Sequence, residues 1–476
     1  MEDDDIDITE LIEKYEQMNS LGKQMYLDAD EFSMLIEYYN SQGRLDESVK
    51  LIEEGLSMHP GNSELMILKA KEMVYEQAYD EALTYLDTIS DEGEIDIPLL
   101  KIESFLHTER MDEANDLIHN VLQSDLTTDQ LYLFYTEVGF MLNDVDEYDR
   151  SIPFLEESLK IDETNAEVLI DLSYAYEMSN NVVKAIEYNN QLLDIDPYSF
   201  ESWVNIGKLY SMNGQYGKAV EAFDFALAIN EKDLNALKLK ALSLILNDNA
   251  EEAIGIFQDC LAESPDDITL YDSLLEAYET MEEYDQMFKI IDLREERFGS
   301  EGITIKRSWV YFHKKQIQKA KEIFEQVPES ERDTLEYYWL EGELEVQEER
   351  FLEAEKSFMK AAILSEDNDN IIDRLANISV VLGKFEQAAE YLEQLLEMDP
   401  NYPAAKSKLA FARFEIGAKE PFDEIVKKFT DEELKSLLLL FSTNDEENVK
   451  SMSRENLLMR LDEARENRLL FKNIKY

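Results

Sequence analysis

Carboxylates, 106 in this 476-residue chain, are too many to mark a site, so four histidines, one cysteine and one short cationic stretch are the residues whose chemistry is informative. A protein metal site needs several ligands converging on one point, often two histidines at helical spacing. His59, His107, His119 and His313 contain no such pair on one helix face. His107 and His119 fall on the two helices of one expected hairpin, but no further ligand accompanies them. All four therefore read as surface or turn histidines. Cys260 stands alone, so no intrachain disulfide forms, which fits a reducing compartment. A nucleophilic thiolate needs a nearby base, and none is indicated. Cys260 is expected to be a small buried hydrophobe.

Acidic runs such as Asp144-Val145-Asp146-Glu147 and Asp367-Asn368-Asp369-Asn370 resemble half of a calcium loop. They lack the glycine and the distal glutamate in register, and read as solvated turns. The chain has no phosphate loop, dinucleotide fingerprint or nucleophile elbow. The sequence thus predicts no catalytic residue, no metal, no cofactor and no enzyme activity.

The cationic stretch is the local exception. From Gly302 to Lys321 there is no acid, in a chain with 106 Asp and Glu. It holds Lys306, Arg307, Lys314, Lys315, Lys319 and Lys321, with Trp309 and His313. Cations beside a tryptophan suit an acidic or carboxyl-terminal peptide segment. The plainer reading is that they pair with acidic neighbours in the fold.

The elements that position these residues follow from composition and spacing. Apolar residues make up 44% of the chain, enough for a long core, while Gly (15) and Pro (9) are scarce. That favours long helices joined by short turns. The formal charge of -61 argues against binding to nucleic acid or to anionic membrane surfaces, which need Lys and Arg. The 22 Phe and 25 Tyr argue against a disordered acidic chain. The opening Met1-Glu2-Asp3-Asp4-Asp5 lacks the basic start and apolar core of a secretory signal. The run Leu437 to Phe441 is too short to span a bilayer. The reading is cytoplasmic.

Large and small residues recur at steps of mostly 34 positions, with steps of 32 and 37 on either side of Ile95 and of 33 into Glu301. The segment from Phe200 carries Trp203, Ile206-Gly207, Tyr210, Tyr216, Ala219, Phe223 and Ala226. The preceding segment carries Leu169, Leu172-Ser173, Tyr176, Ala185, Leu192 and Pro197 in the same frame; the following one carries Leu237, Ala241, Leu244, Ala253, Phe257, Cys260 and Pro265. This pattern resembles the tetratricopeptide repeat family. In this frame, repeats start at Ala29, Ser63, Ile95, Tyr132, Ala166, Phe200, Leu234, Ile268, Glu301, Leu335 and Asp369, with a partial one at Pro403. The resemblance implies an all-α fold, a right-handed α-solenoid of stacked helix-turn-helix hairpins closed by helical caps.

The expected organisation is a leader and capping helix over 1–28, about eleven repeats over 29–402, and a partial repeat with a helical cap over 403–476. Asp7 with Glu10, and Thr430 with Glu433, read as capping pairs opening terminal helices. The match is poorest over 95–131, where Pro98 replaces an apolar residue and predicts a shortened helix. The tail from Pro403 carries 14 bases and 14 acids, so the array holds the whole acidic excess.

The family resemblance further implies that each first helix lines a groove that receives peptides or partner helices. By register, Lys306, Trp309 and His313 face it, then Trp339, then Arg374 and Asn377, then Lys408. Some family members hold a terminal carboxylate with a Lys/Asn clamp. Here Asn205 matches one clamp position, but Ile170, Tyr174, Asn235 and Leu239 do not, so binding of chaperone tails is not carried over. The expected function is a non-catalytic scaffold for a peptide or a partner protein. The alternatives are an acidic mimic that competes for basic proteins and a regulatory subunit of an enzyme complex.

Overall fold

A computed structural model describes residues 8–21, 25–90, 93–365, 368–417, 419–441, 449 and 452–474. Every regular element among them is helical. The chain forms two compact units, Met1–Ile256 and Phe257–Tyr476.

The first unit opens with helix Ile8–Ser20, whose Leu11 and Tyr15 are buried. Tyr15 meets the Tyr39 ring edge-on at 6.2 Å. Asp7, the expected cap of this helix, lies outside the described residues. Hairpins follow, with first helices Ala29–Ser41, Ser63–Tyr75, Asp96–His107, Thr128–Asp144, Ala166–Met178, Phe200–Met212 and Leu234–Leu246. In the second unit the first helices are Ile268–Thr280, Thr304–His313, Leu335–Gln347, Asp369–Val381 and Ala405–Glu415.

Three local devices recur through the hairpins. A cap residue opens the first helix: the Asn62, Asn165 and Asp233 side chains accept from Leu65, Val168 and Ala236 N–H at 2.9, 3.1 and 2.8 Å. Such a cap stabilises a helix by about 1 kcal/mol. Pro60, Pro197, Pro265 and Pro400 sit three to five residues before the helices that start at Ser63, Phe200, Ile268 and Ala405, where no helical N–H is lost.

The second device is a left-handed residue that ends the first helix. It is Gly43, Gln77, Glu109, Asp146, Asn180, Gly214, Asp248, Glu282, Lys315, Glu349, Gly383 and Gly417, all with φ between 57° and 89°. The next N–H then turns back five residues, as Gln215 does to Tyr210 O at 2.8 Å and Lys384 to Ser379 O at 2.8 Å.

The third device is a small residue at the helix crossing. A Cβ on Gly207 would meet Phe223 Cε1 at 2.6 Å, and one on Gly342 would meet Phe358 Cε2 at 2.7 Å. Where serine stands instead, its hydroxyl bridges the pair: Ser308 Oγ donates to Ala320 O at 2.6 Å. Phe223 and Phe358, with Ala219, Ala226, Ala354 and Ala361, are buried at these crossings.

The irregular steps have structural causes. The helix carrying Pro98 is not markedly shortened: it spans Asp96–His107, and Pro98 lies in its first turn, where it removes no helical hydrogen bond. The shortening lies one helix earlier, in the eight-residue Tyr79–Leu86. The helix expected at Tyr132 begins instead at Thr128, because Thr127 and Gln130 form a reciprocal cap. At the far end, Thr430 and Glu433 form the expected cap, with Thr430 N–H donating to Glu433 Oε2 at 2.7 Å. Helices Asp431–Phe441 and Arg454–Ile474 close the second unit over Phe414, Phe422, Leu437 and Leu457.

Candidate functional site

In the second unit, helix Thr304–His313 sets the cationic stretch against carboxylates of neighbouring helices. Lys306 Nζ lies 3.6 Å from Glu279 Oε2. Trp309 Nε1 donates to the other oxygen of Glu279 at 2.5 Å. Arg307 pairs with Asp292 and Glu295 at 2.8 and 2.5 Å. Lys314 pairs with Asp285 at 2.7 Å, and Lys321 with Glu348 at 2.6 Å. The positive charge that an acidic ligand would need is largely engaged within the fold.

The remaining expected groove residues follow the same rule. Arg374 Nε lies 2.6 Å from Glu343 Oε1. Burial pushes the Glu343 carboxyl above its ordinary range, and Arg374 opposes that shift. Lys408 Nζ donates to Asp373 Oδ1 at 2.6 Å, and Asn377 Nδ2 donates to Asp373 Oδ2 at 2.9 Å. His313 packs edge-on against Trp309 at 4.6 Å and stacks on Tyr284 at 5.5 Å. Burial lowers its pKa, with Glu279 pulling the other way.

Lys306, Trp309 and Trp339 come together on one cleft of about 1010 Å³. The cleft is shared by helices Ile268–Thr280, Thr304–His313 and Leu335–Gln347, with Asn368 and Asn370 beyond them. Both tryptophans are half-buried. His313, Arg374, Asn377 and Lys408 do not line it.

Sequence reasoning missed the acids of this cleft: Asp272, Glu276, Glu279, Glu331 and Glu336, against the two cations Arg294 and Lys306. Arg294 is itself held by Asp272 at 3.1 Å and by Glu301 O at 2.9 Å. A signal was present, since Glu276 occupies the repeat position that Trp309 occupies one repeat later. Glu341 and Glu345, acids on helix Leu335–Gln347, share one partner on the next helix. The buried Ser357 hydroxyl lies 2.8 Å from Glu341 Oε2 and 3.0 Å from Glu345 Oε2.

The first unit presents a different face. Ile170, Tyr174, Met178, Met212, Leu242 and Leu246 are exposed on three successive first helices. Glu103, Glu137 and Asp171 are half-buried on first helices, and burial raises each pKa. The histidines are dispersed: His59 Nε2 bonds Leu27 O at 2.8 Å, His107 stacks on Tyr79 at 4.9 Å, and His119 bonds Gln123 at 2.7 Å. Cys260 is buried. Among the described residues, no group of three or more metal-ligating side chains forms, and no helix is long and apolar enough to cross a membrane.

Family profiles described as "Tetratricopeptide repeat" match residues 188–221 and 371–402. These two segments are tetratricopeptide repeats. It is 20% identical to the TPR repeat-containing protein YpiA of Bacillus subtilis over 464 residues, 90% of this chain and 97% of that protein. It is also 30% identical to the peroxisomal targeting signal receptor of Kluyveromyces lactis over 118 residues, 25% of this chain and 19% of that one. Among solved structures, yeast Tom70 aligns over 89% of this chain and 99% of its own, at 13% identity and a TM-score of 0.46. Tetratricopeptide repeats make this an all-helical protein of a kind that scaffolds protein–protein interactions.

Proposed function

We propose that this tetratricopeptide repeat protein is a non-catalytic cytoplasmic scaffold that holds a peptide or a partner protein on its first-helix faces. The Trp309–Trp339 cleft is the anchor, flanked by His313 and by the paired residues Arg374, Asn377 and Lys408. In this reading 29–402 is the repeat array, and 1–28 and 403–476 close its ends. Two half-buried tryptophans on one cleft of about 1010 Å³ carry the proposal, because aromatic anchors in partly desolvated pockets supply most of the energy of protein interfaces.

A photo-reactive amino acid replacing Trp339 tests it, compared with one replacing Leu352, which is exposed on a second helix. A discrete partner captured from the native cell at 339 and absent at 352 is expected. Capture at 352 alone rejects the cleft as the anchor.

The charge of -61 favours a second reading, an acidic mimic that competes for basic proteins. It predicts binding that falls steeply with salt and survives Trp309→Ala with Trp339→Ala. A partner that proves to be an enzyme, with activity changed on binding, makes the chain a regulatory subunit.

A further inference from the structure

Resting on the scaffold reading, we infer that the Trp309–Trp339 cleft takes a basic segment, one that carries arginine or lysine side chains, and not an acidic one. Carboxylates outnumber cations five to two on its walls. Both cations are engaged, Arg294 by Asp272 and Lys306 by Glu279. Glu276 and Glu336 are exposed on the wall and enter none of the ion pairs of the described residues. Glu331 Oε2 is buried there without a hydrogen-bond partner, while its other oxygen receives Gly302 N–H at 3.1 Å. An anionic guest would face unpaired negative charge and find no free donor cation. A guanidinium would find carboxylates to bridge and an indole face to stack on.

Charge and aromatic surface therefore select the same occupant. An alkyl-ammonium or guanidinium side chain lays its apolar stem along Trp309 or Trp339 and points its head at Glu276 or Glu336. The Trp309 indole is oriented for this, since its N–H is fixed by Glu279.

The probe is a twelve-residue peptide of arginines spaced by serine and glycine, beside its glutamate counterpart. The readout is tryptophan emission of the full chain carrying Trp203→Phe, so that only Trp309 and Trp339 report. The arginine peptide is expected to change the emission saturably, and the glutamate peptide to leave it unchanged. Glu276→Lys with Glu336→Lys is expected to weaken binding about tenfold, the order that two surface charge reversals supply. Glu221→Lys with Glu231→Lys, an equal charge change at exposed sites of the first unit, is expected to weaken it less than about twofold.

Equal losses in the two double variants would mean diffuse attraction to the whole acidic chain and overturn the inference. Preference for the glutamate peptide would do the same. Circular dichroism melts of both variants establish that they fold. A cellular partner crosslinked at position 339 through an acidic segment would keep the scaffold and refute the basic ligand, so the two readings fail separately.

Discussion

Gly342 and Phe358 face each other across one hairpin so closely that a methyl group on the glycine would meet the ring at 2.7 Å. Phe358 is fully buried and has little room to retreat. Gly342→Ala is therefore expected to destabilise the protein by about 1–3 kcal/mol, the usual cost of overpacking. Adding Phe358→Leu should recover part of that loss. Thermal melts of the two single variants and the double variant measure the coupling.

Glu349 ends a first helix at φ 57°, in a left-handed conformation that costs a non-glycine residue about 1 kcal/mol. Glu349→Gly is expected to gain about 0.5 kcal/mol after the extra freedom of the unfolded glycine is set against the relieved strain. Glu349→Ala should bring no such gain. Urea denaturation midpoints compare the three proteins.

Glu137 titrates above its ordinary range, first through burial, then through Asp96 and Glu167. A carboxyl whose folded pKa is raised contributes stability at low pH that is lost as pH rises through that pKa. Glu137→Gln is expected to stabilise the protein at pH 7.5 and to gain less at pH 5. An equal gain at both values would refute the titration argument.

His313 has the opposite sign. Burial lowers its folded pKa below the unfolded value of about 6.5. As pH falls below that value, the unfolded chain takes up a proton that the folded ring declines, so stability drops. His313→Phe keeps a ring against Trp309 and Tyr284 and is expected to flatten the loss of stability between pH 7.5 and 5.5.

The hairpin frame was legible because each of its parts is local. Thr430 with Glu433 announces a helix start, and Gly207 with Phe223 a crossing, from sequence neighbours alone. The first helix at Thr128 was misplaced by four residues because the Thr127–Gln130 cap overrides the repeat frame. At the cleft, Trp309 and Trp339 were legible as bulky residues at groove positions. Pairing of the cations with acidic neighbours was the plainer reading, but which acid answers which base was not legible. Whether Lys306 is available depends on the reach of Glu279, 27 positions away in number and adjacent only after stacking. Glu276 and Glu336 were hidden by the abundance of acids around them.

The bonds Lys306–Glu279, Arg374–Glu343 and Lys408–Asp373 each join a first helix to the one before it. Each rung differs in side-chain length and in which acid answers which base. The modules are thus lettered as well as shaped: a shuffled gene, with every hairpin intact but two exchanged, would set some bases against the wrong face. Serial order, and not merely copy number, is written into the protein.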